Sequence, residues 1–174
     1  MSPRAADEQL QRLSDEASIR RLAHEYADAV LVKDADRMLS LWASDLAAPA
    51  PFPDFDIDWA RKLPARWESW GVTMLHVTTH AIFFDGEDNA HGRVQCIVQM
   101  QRDEGFVDQS VLYEDDYVRR GDDWLFAIRR HRLWFGSVRS ADPTAQPRST
   151  WPDSQLGAGS LPEDVRRLWT QDLP

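Results

Sequence analysis

From Ser14 to Val32 apolar residues recur at helical spacing. Ile19, Leu22, Ala23, Tyr26, Ala29 and Val30 form one stripe, which predicts an amphipathic helix. Ser14 is placed to cap it, with Asp15 and Glu16 in the first turn, where the helix dipole favours acids. Lys33-Asp34 interrupts the stripe. Asp34 then predicts the cap of a short second helix with Met38, Leu41 and Trp42 on its inner face. Prolines at 49, 51 and 53 argue against a regular central strand between Ala47 and Phe55. Asp56 or Asp58 opens a third helical stretch carrying Trp59, Leu63, Trp67 and Trp70. Pro64 within it predicts a kink or a split, and Gly71 its end.

Beyond Gly71 the period changes from helical to alternating. Val72 to Phe84 and Ala90 to Arg102 read as strands joined by the turn Asp85-Gly86-Glu87-Asp88. In the second, Val94, Cys96, Val98 and Met100 fall on one face and Arg93, Gln95, Gln99 and Gln101 on the other. Val107 to Arg120 and Trp124 to Val138 read as a hairpin around Arg120-Gly121-Asp122-Asp123. After Ser140 the composition shifts to Pro, Ser, Gly and Asp, ending in a short amphipathic segment, Pro162 to Trp169. The expected organisation is one α+β domain over residues 1–140 and a tail over 141–174. The tail is placed to cover a pocket mouth or clasp a neighbouring subunit.

The formal net charge is −9, and no basic stripe is present. Nucleic acid and anionic membrane surfaces both need positive potential, so neither is an expected partner. The single cysteine, Cys96, excludes an internal disulfide and reads as core packing. No stretch approaches the length of a membrane span, and Met1 to Asp15 lacks a signal-peptide core, so a cytoplasmic location is the expectation. Eight tryptophans are available to fill a core or to line a pocket for aromatic or polycyclic ligands.

Regular alternation would place His76 and His80, four apart on the first long strand, on one face. Imidazole titrates near neutral pH unaided, so the pair is the first candidate for acid–base chemistry, with His76 as base. A metal bound by two such histidines would need a third ligand at a suggestive spacing, and none is seen. Tyr26 lies on the apolar face of the first helix, as core packing or as a hydrogen-bond donor to a substrate oxygen. Asp28 should face solvent. Tyr113, Asp115 and Tyr117 share one strand face. Arg130 and Arg132 would share a face with Trp124 and Trp134, and Arg129 and His131 the other. An arginine turned inward would select an anionic or phenolic substrate. His131 is a reserve base.

These pieces resemble the SnoaL-like branch of the nuclear transport factor 2-like superfamily, over roughly residues 12 to 136. The resemblance is carried by Ile19-x-x-Leu22-x-x-x-Tyr26, Asp34-x-Asp36 leading into Leu41-Trp42-Ala43-x-Asp45, His76, and Asp85-Gly86-Glu87-x-x-Ala90. Tyr113-x-Asp115, Trp124 and Arg129-Arg130 complete it. It implies a cone-shaped α+β barrel, with N-terminal helices packed on a highly curved antiparallel sheet around a pocket. It also implies chemistry without metal or organic cofactor. Tyr26 and His76 match the tyrosine and histidine of the dehydratase-like members, and His80 stands where asparagine is frequent. The aspartate that such enzymes place five residues after the tyrosine is Leu31 here, which leaves the imidazole without carboxylate support and favours its neutral form. Asp34 is the substitute if the helix ends early. The expected function is a cofactor-independent lyase of the dehydratase type, acting on a hydrophobic oxygenated aromatic or polycyclic substrate. His76, Tyr26 and His80 are the expected catalytic groups. Leu31, Trp42, Phe55, Trp59, Trp67, Gln99, Tyr113, Arg129 and His131 are expected to line the pocket. An isomerase or cyclase on the same scaffold, and a ligand-binding or assembly protein without activity, stand as alternatives. A homodimer, or a trimer, is the expected assembly.

Overall fold

The structure, a computed structural model, describes residues 3–46, 54–67, 69–103 and 105–143, with the backbone alone at 54 and 55. The expectations for residues 47–53 and for the tail from 144 onward lie outside the described residues. The elements run in chain order α1 (Pro3–Val32), α2 (Ala35–Ser40), β1 (Asp54–Phe55), α3 (Ile57–Ala60), α4 (Leu63–Trp67), β2 (Thr73–Phe84), β3 (Asn89–Arg102), β4 (Gly105–Arg120) and β5 (Asp123–Val138). Every strand pairs antiparallel, in the order β1-β5-β4-β3-β2. The fold is the expected α+β class.

Helix α1 begins well before Ser14. Ion pairs one turn apart, Arg4–Glu8, Glu16–Arg20 and Arg21–Glu25, support a polar helix surface. Leu10 and Leu13 remain exposed on that N-terminal extension. Asp15 is therefore mid-helix and buried. Its carboxylate takes the Arg119 guanidinium at 2.5 Å and the Trp124 indole N–H at 3.2 Å. That clasp ties α1 to the far hairpin.

At the other end of α1, Lys33 adopts φ 59°, the left-handed conformation that usually ends a helix on glycine. Its ammonium donates to the carbonyls of Trp67 at 3.2 Å and Trp70 at 2.6 Å. Asp34 caps α2 as expected, accepting from the Arg37 N–H at 3.0 Å. Asp56 caps α3 in the same way, through the Trp59 N–H. The third helical stretch is split into α3 and α4 just before Pro64, whose missing N–H is tolerated only in a first turn.

The helices cover one face of the sheet. The stripe Ile19, Leu22, Tyr26, Ala29 and Val30 packs with Met38, Leu41, Trp42, Ile57, Leu63 and Trp67 against Tyr117, Trp124 and Phe126. A second cluster joins Ala23 to Val94, Cys96, Val98, Val111 and Tyr113. Cys96 is fully buried, as expected of a core thiol. The stretch after α2 hydrogen-bonds to Phe126 on both sides, Ala43 N–H to its carbonyl and its N–H to Leu41 O. That pins the helical layer to β5.

Bulges reverse two facing assignments. The β2–β3 register slips between Val77 and Thr79, so Val77 opposes Cys96 but His80 opposes Val94. One extra residue reverses every later side chain of a strand. His76, opposite exposed Ile97, faces outward, whereas His80 faces inward. The two imidazoles do not share a face. In β5 the register slips between Phe126 and Ile128, opposite Tyr117 and Asp116. Arg129 consequently joins Trp124 and Phe126 on the inner face, where regular alternation had set it opposite Trp124.

Candidate active site

Four groups form a continuous inner-face network. Arg129 grips Asp115 with both arms, Nε to Oδ1 at 2.8 Å and Nη2 to Oδ2 at 2.8 Å. Their side chains are 1% and 0% exposed. The Tyr117 hydroxyl donates to Asp115 Oδ2 at 2.9 Å and stands 2.9 Å from His80 Nε2. A phenol has one proton to give. With that proton on Asp115, His80 Nε2 is the donor of the second contact. Nδ1 then carries the lone pair, buried and without a protein partner.

Arg129 is also sandwiched by aromatic faces. Its guanidinium carbon lies 4.5 Å from the Tyr26 ring, 4.2 Å from Tyr113 and 4.3 Å from Phe126. Such contacts stabilise a desolvated cation. Burial alone would weaken its hold on the proton, but Asp115 more than compensates and the guanidinium's affinity rises.

The strand pattern makes room for the network. Tyr113, Asp115 and Tyr117 alternate inward along β4, and Glu114 and Asp116 outward to Arg132 and Arg130. On β3 the residues behind Tyr117 are small, Ala90 and Gly92. A Cβ at position 92 would stand 2.7 Å from the Ala81 carbonyl and 3.1 Å from the Tyr117 ring.

Burial sets the protonation states. His80 is pushed down to about 4 by desolvation, with Asp115 opposing and Arg129, Arg20 and His24 reinforcing the shift. Its imidazole is neutral at pH 7. The Tyr26 phenol is pushed up to about 12, again by burial, and stays protonated. Tyr113 and Tyr117 move the same way. His131, half-buried with its ring edge-on to Tyr113 at 5.5 Å, is lowered by burial.

Not every nominated residue joins this layer. His76 is exposed on the outer face, 3.2 Å from Gln99 Oε1, and Gln99 donates to Asp108. His76 and Gln99 thus belong to a surface chain and not to the inner site. Tyr26, Trp42, Trp67, Tyr113 and Arg129 are all buried on the helix side. Trp42 Nε1 and Trp67 Nε1 share with His80 Nδ1 the lack of a protein partner. Trp59 and Leu31 are half-buried, and the Phe55 side chain lies outside what is described. Asp34 is exposed and serves its helix cap, so it does not substitute at Leu31. Asp28 is partly exposed and pairs with Arg37.

A concavity of about 480 Å³ lies on the outer face. Phe83, His91, Arg93, Glu114, Asp116 and Arg130 line it. None of the nominated residues does. Among the described residues, no group of three acidic, histidine or cysteine side chains is arranged to hold a metal. No described helix is long and apolar enough to cross a membrane.

Asp115 and Tyr117 are the functional candidates that a motif search passes over. Their signal was strand alternation, which set both beside Tyr113 on one face.

A family profile described as a SnoaL-like domain matches residues 11–130. Among solved structures, a hexachlorocyclohexane dehydrochlorinase (LinA-type3) from Novosphingobium barchaimii superposes with a TM-score of 0.69 at 19% identity, covering 80% of this chain and 99% of that one. A scytalone dehydratase-like protein from Novosphingobium aromaticivorans gives 0.66 at 19% identity, with 80% and 99% covered. A protein of unknown function from Mycobacterium tuberculosis gives 0.58 at 21%, with 76% of each chain covered. No curated protein sequence matches. At these identities the structural likeness establishes the fold.

Proposed function

The chain belongs to the SnoaL-like domain family of the nuclear transport factor 2-like superfamily, and on that premise we propose that it is a cofactor-independent lyase of the dehydratase type with His80 as its acid–base group. The observation that carries this reading is the neutral, inward-facing imidazole whose Nδ1 lone pair has no protein partner. Buried polar atoms are paired as a rule, so a substrate proton donor is the partner this nitrogen lacks.

In the proposed reaction Nδ1 takes a proton from the carbon beside a carbonyl. Tyr26, protonated at neutral pH, donates to the oxygen on which charge develops. The leaving group departs with the proton that His80 then returns, and the imidazole is regenerated neutral.

The substrate class follows from charge. Arg129 is inward, yet Asp115 already neutralises it through two hydrogen bonds. The remaining buried inner groups are uncharged imidazoles, phenols and indoles, and Arg20, which faces the ring from α1, is already paired with Glu16. A carboxylate or phosphate would be desolvated with no free counter-charge, at a cost of several kcal/mol (about 2–7 even for a neutral unpaired polar group). The fitting substrate is uncharged and hydrophobic, aromatic or polycyclic, with one or two oxygens. Two of the structural neighbours are a hexachlorocyclohexane dehydrochlorinase and a scytalone dehydratase-like protein, and both names denote eliminations, which supports the same class. An isomerase or cyclase would use the same base and donor.

A panel of uncharged hydroxylated or halogenated cyclic compounds, followed by mass spectrometry for loss of water or hydrogen halide, tests the reading. His80→Asn should lower turnover by about 10²–10⁴-fold while ligand affinity persists. Affinity without turnover in both proteins would make this a binding protein.

A further inference from the structure

We propose that Tyr117 and Asp115 are the positioning pair of the site: they hold the His80 ring with Nε2–H toward the sheet and Nδ1 toward the substrate. This role presupposes His80 as the base, yet it is read out independently of turnover.

A histidine ring on a strand can flip about χ2 and exchange its two nitrogens, and it can carry its proton on either. One oriented contact removes both freedoms. Asp115 supplies the orientation from a distance. Its Oδ1 receives Arg129 Nε, and its Oδ2 receives both Arg129 Nη2 and the Tyr117 hydroxyl. A carboxylate gripped on both oxygens cannot rotate, and it accepts only. The Tyr117 proton therefore points at Asp115, and the oxygen lone pair is left for His80 Nε2–H at 2.9 Å. Gly92 leaves the space that this phenol occupies. From the opposite side, Arg20 Nη1 of α1 holds the His80 carbonyl at 2.9 Å. Backbone and ring are thus anchored from different layers.

The charged and titratable groups facing the ring are Asp115 and Arg129 from the sheet and Arg20 and His24 from α1. Only Asp115 favours the imidazolium, and it reaches the ring through Tyr117. When Nδ1 gains a proton, a C–H bond of the substrate breaks and an N–H bond forms. Nε2–H and the Tyr117 hydroxyl keep their own protons, and Asp115 stays an ionised carboxylate. The same Nδ1 proton leaves with the departing hydroxyl as water, and the ring returns to its starting state.

Imidazole ¹⁵N NMR on the full-length protein at neutral pH tests the pair. The expected wild-type spectrum shows His80 protonated on Nε2 alone. In Tyr117→Phe a second, Nδ1-protonated population should appear, and the ring should resist protonation to lower pH than in the wild type. A wild-type ring protonated on Nδ1, a tautomer mixture unchanged by Tyr117→Phe, or easier protonation in the variant overturns the proposal. With an identified substrate, Tyr117→Phe should lower kcat by up to about tenfold with KM little changed, one hydrogen bond being worth up to that factor. If His80→Asn keeps full turnover while the tautomer behaves as stated, the reading of His80 as base fails and the positioning of its ring stands.

Discussion

Replacing Asp115 with asparagine removes one charge and almost no volume, so its cost isolates the electrostatics of the core. Opposite charges about 4 Å apart attract by ~4 kcal/mol at an effective dielectric near 20. Breaking a buried pair by removing one partner costs about 3–5 kcal/mol, because the other charge is left stranded. Asp115 and Arg129 meet the conditions for the upper part of that range: side chains 0% and 1% exposed, and two hydrogen bonds of 2.8 Å. The stranded group would be a guanidinium, which cannot shed its proton. Its three aromatic neighbours would offset part of the penalty, by about 2 kcal/mol. A loss of about 3 kcal/mol is therefore expected for Asp115→Asn. For a chain of this length that corresponds to a fall in Tm of roughly 6–12 °C. Urea unfolding followed by tryptophan fluorescence gives the free energy, and thermal circular dichroism the Tm. Arg129→Met in the same background should recover part of the loss, since an apolar side chain needs no counter-ion. A cost below about 1 kcal/mol for Asp115→Asn, or no recovery in the double variant, would show that the guanidinium has another anion or water within reach, and the reasoning would fall.

His80, lowered from 6.5 to about 4 by burial, binds fewer protons folded than unfolded between those values; its stabilising contribution is complete above 6.5 and lost as pH falls toward 4. The full difference is worth ~3 kcal/mol, discounted to about 1–2 for the ring's partial exposure; urea unfolding at pH 7 and pH 5 should show a smaller difference in His80→Asn, with the residual slope from His131. Lys33→Gly should be about 1 kcal/mol more stable than Lys33→Ala, because both lose the ammonium contacts to Trp67 and Trp70 but only alanine keeps the cost of φ 59°; equal urea midpoints would contradict this. Gly92→Ala should destabilise by about 1–3 kcal/mol, and it should broaden the His80 ¹⁵N signals, since the new methyl group collides with the Tyr117 ring. His76→Ala should leave turnover and ligand affinity within about twofold of wild type, surface substitutions of this kind being worth ±0.5 kcal/mol or less; a collapse of turnover would return the chemistry to the outer face.

The helical and strand segments were legible because each has a period that only one backbone satisfies. The stripe from Ile19 to Val30 and the alternation from Val94 to Met100 both end on the residues that face the core. The caps Asp34 and Asp56 were legible for a local reason: their carboxylates satisfy N–H groups three residues on. The early start of α1 was not, since a polar, solvent-facing helix has no apolar stripe to announce it. The site was half legible. Tyr26, His80, Tyr113 and Arg129 were nominated and do converge. The pairing of His76 with His80 failed because it assumed unbroken alternation, and the extra residue near Thr78 has no glycine or proline to mark it. The slip near Ala127, unmarked for the same reason, put Arg129 on the face of Trp124, from which regular alternation had separated it. Asp115 could be placed on a face from sequence. Alternation set Tyr117 beside it, whereas the guanidinium of Arg129 comes from β5 and depends on pairing between strands.

The Asp15 clasp and the Lys33 contacts hold α1 like a lintel on two posts. Eighteen residues separate those posts, about 27 Å of helix at 1.5 Å per residue. One post stands on the β4–β5 hairpin and the other on the end of α4. A beam supported at both ends cannot swing open without losing a buried carboxylate contact. Any opening of the helical roof that keeps both posts in place would therefore fall to α2, α3 and α4, whose lengths of 6, 4 and 5 residues give them little stability of their own.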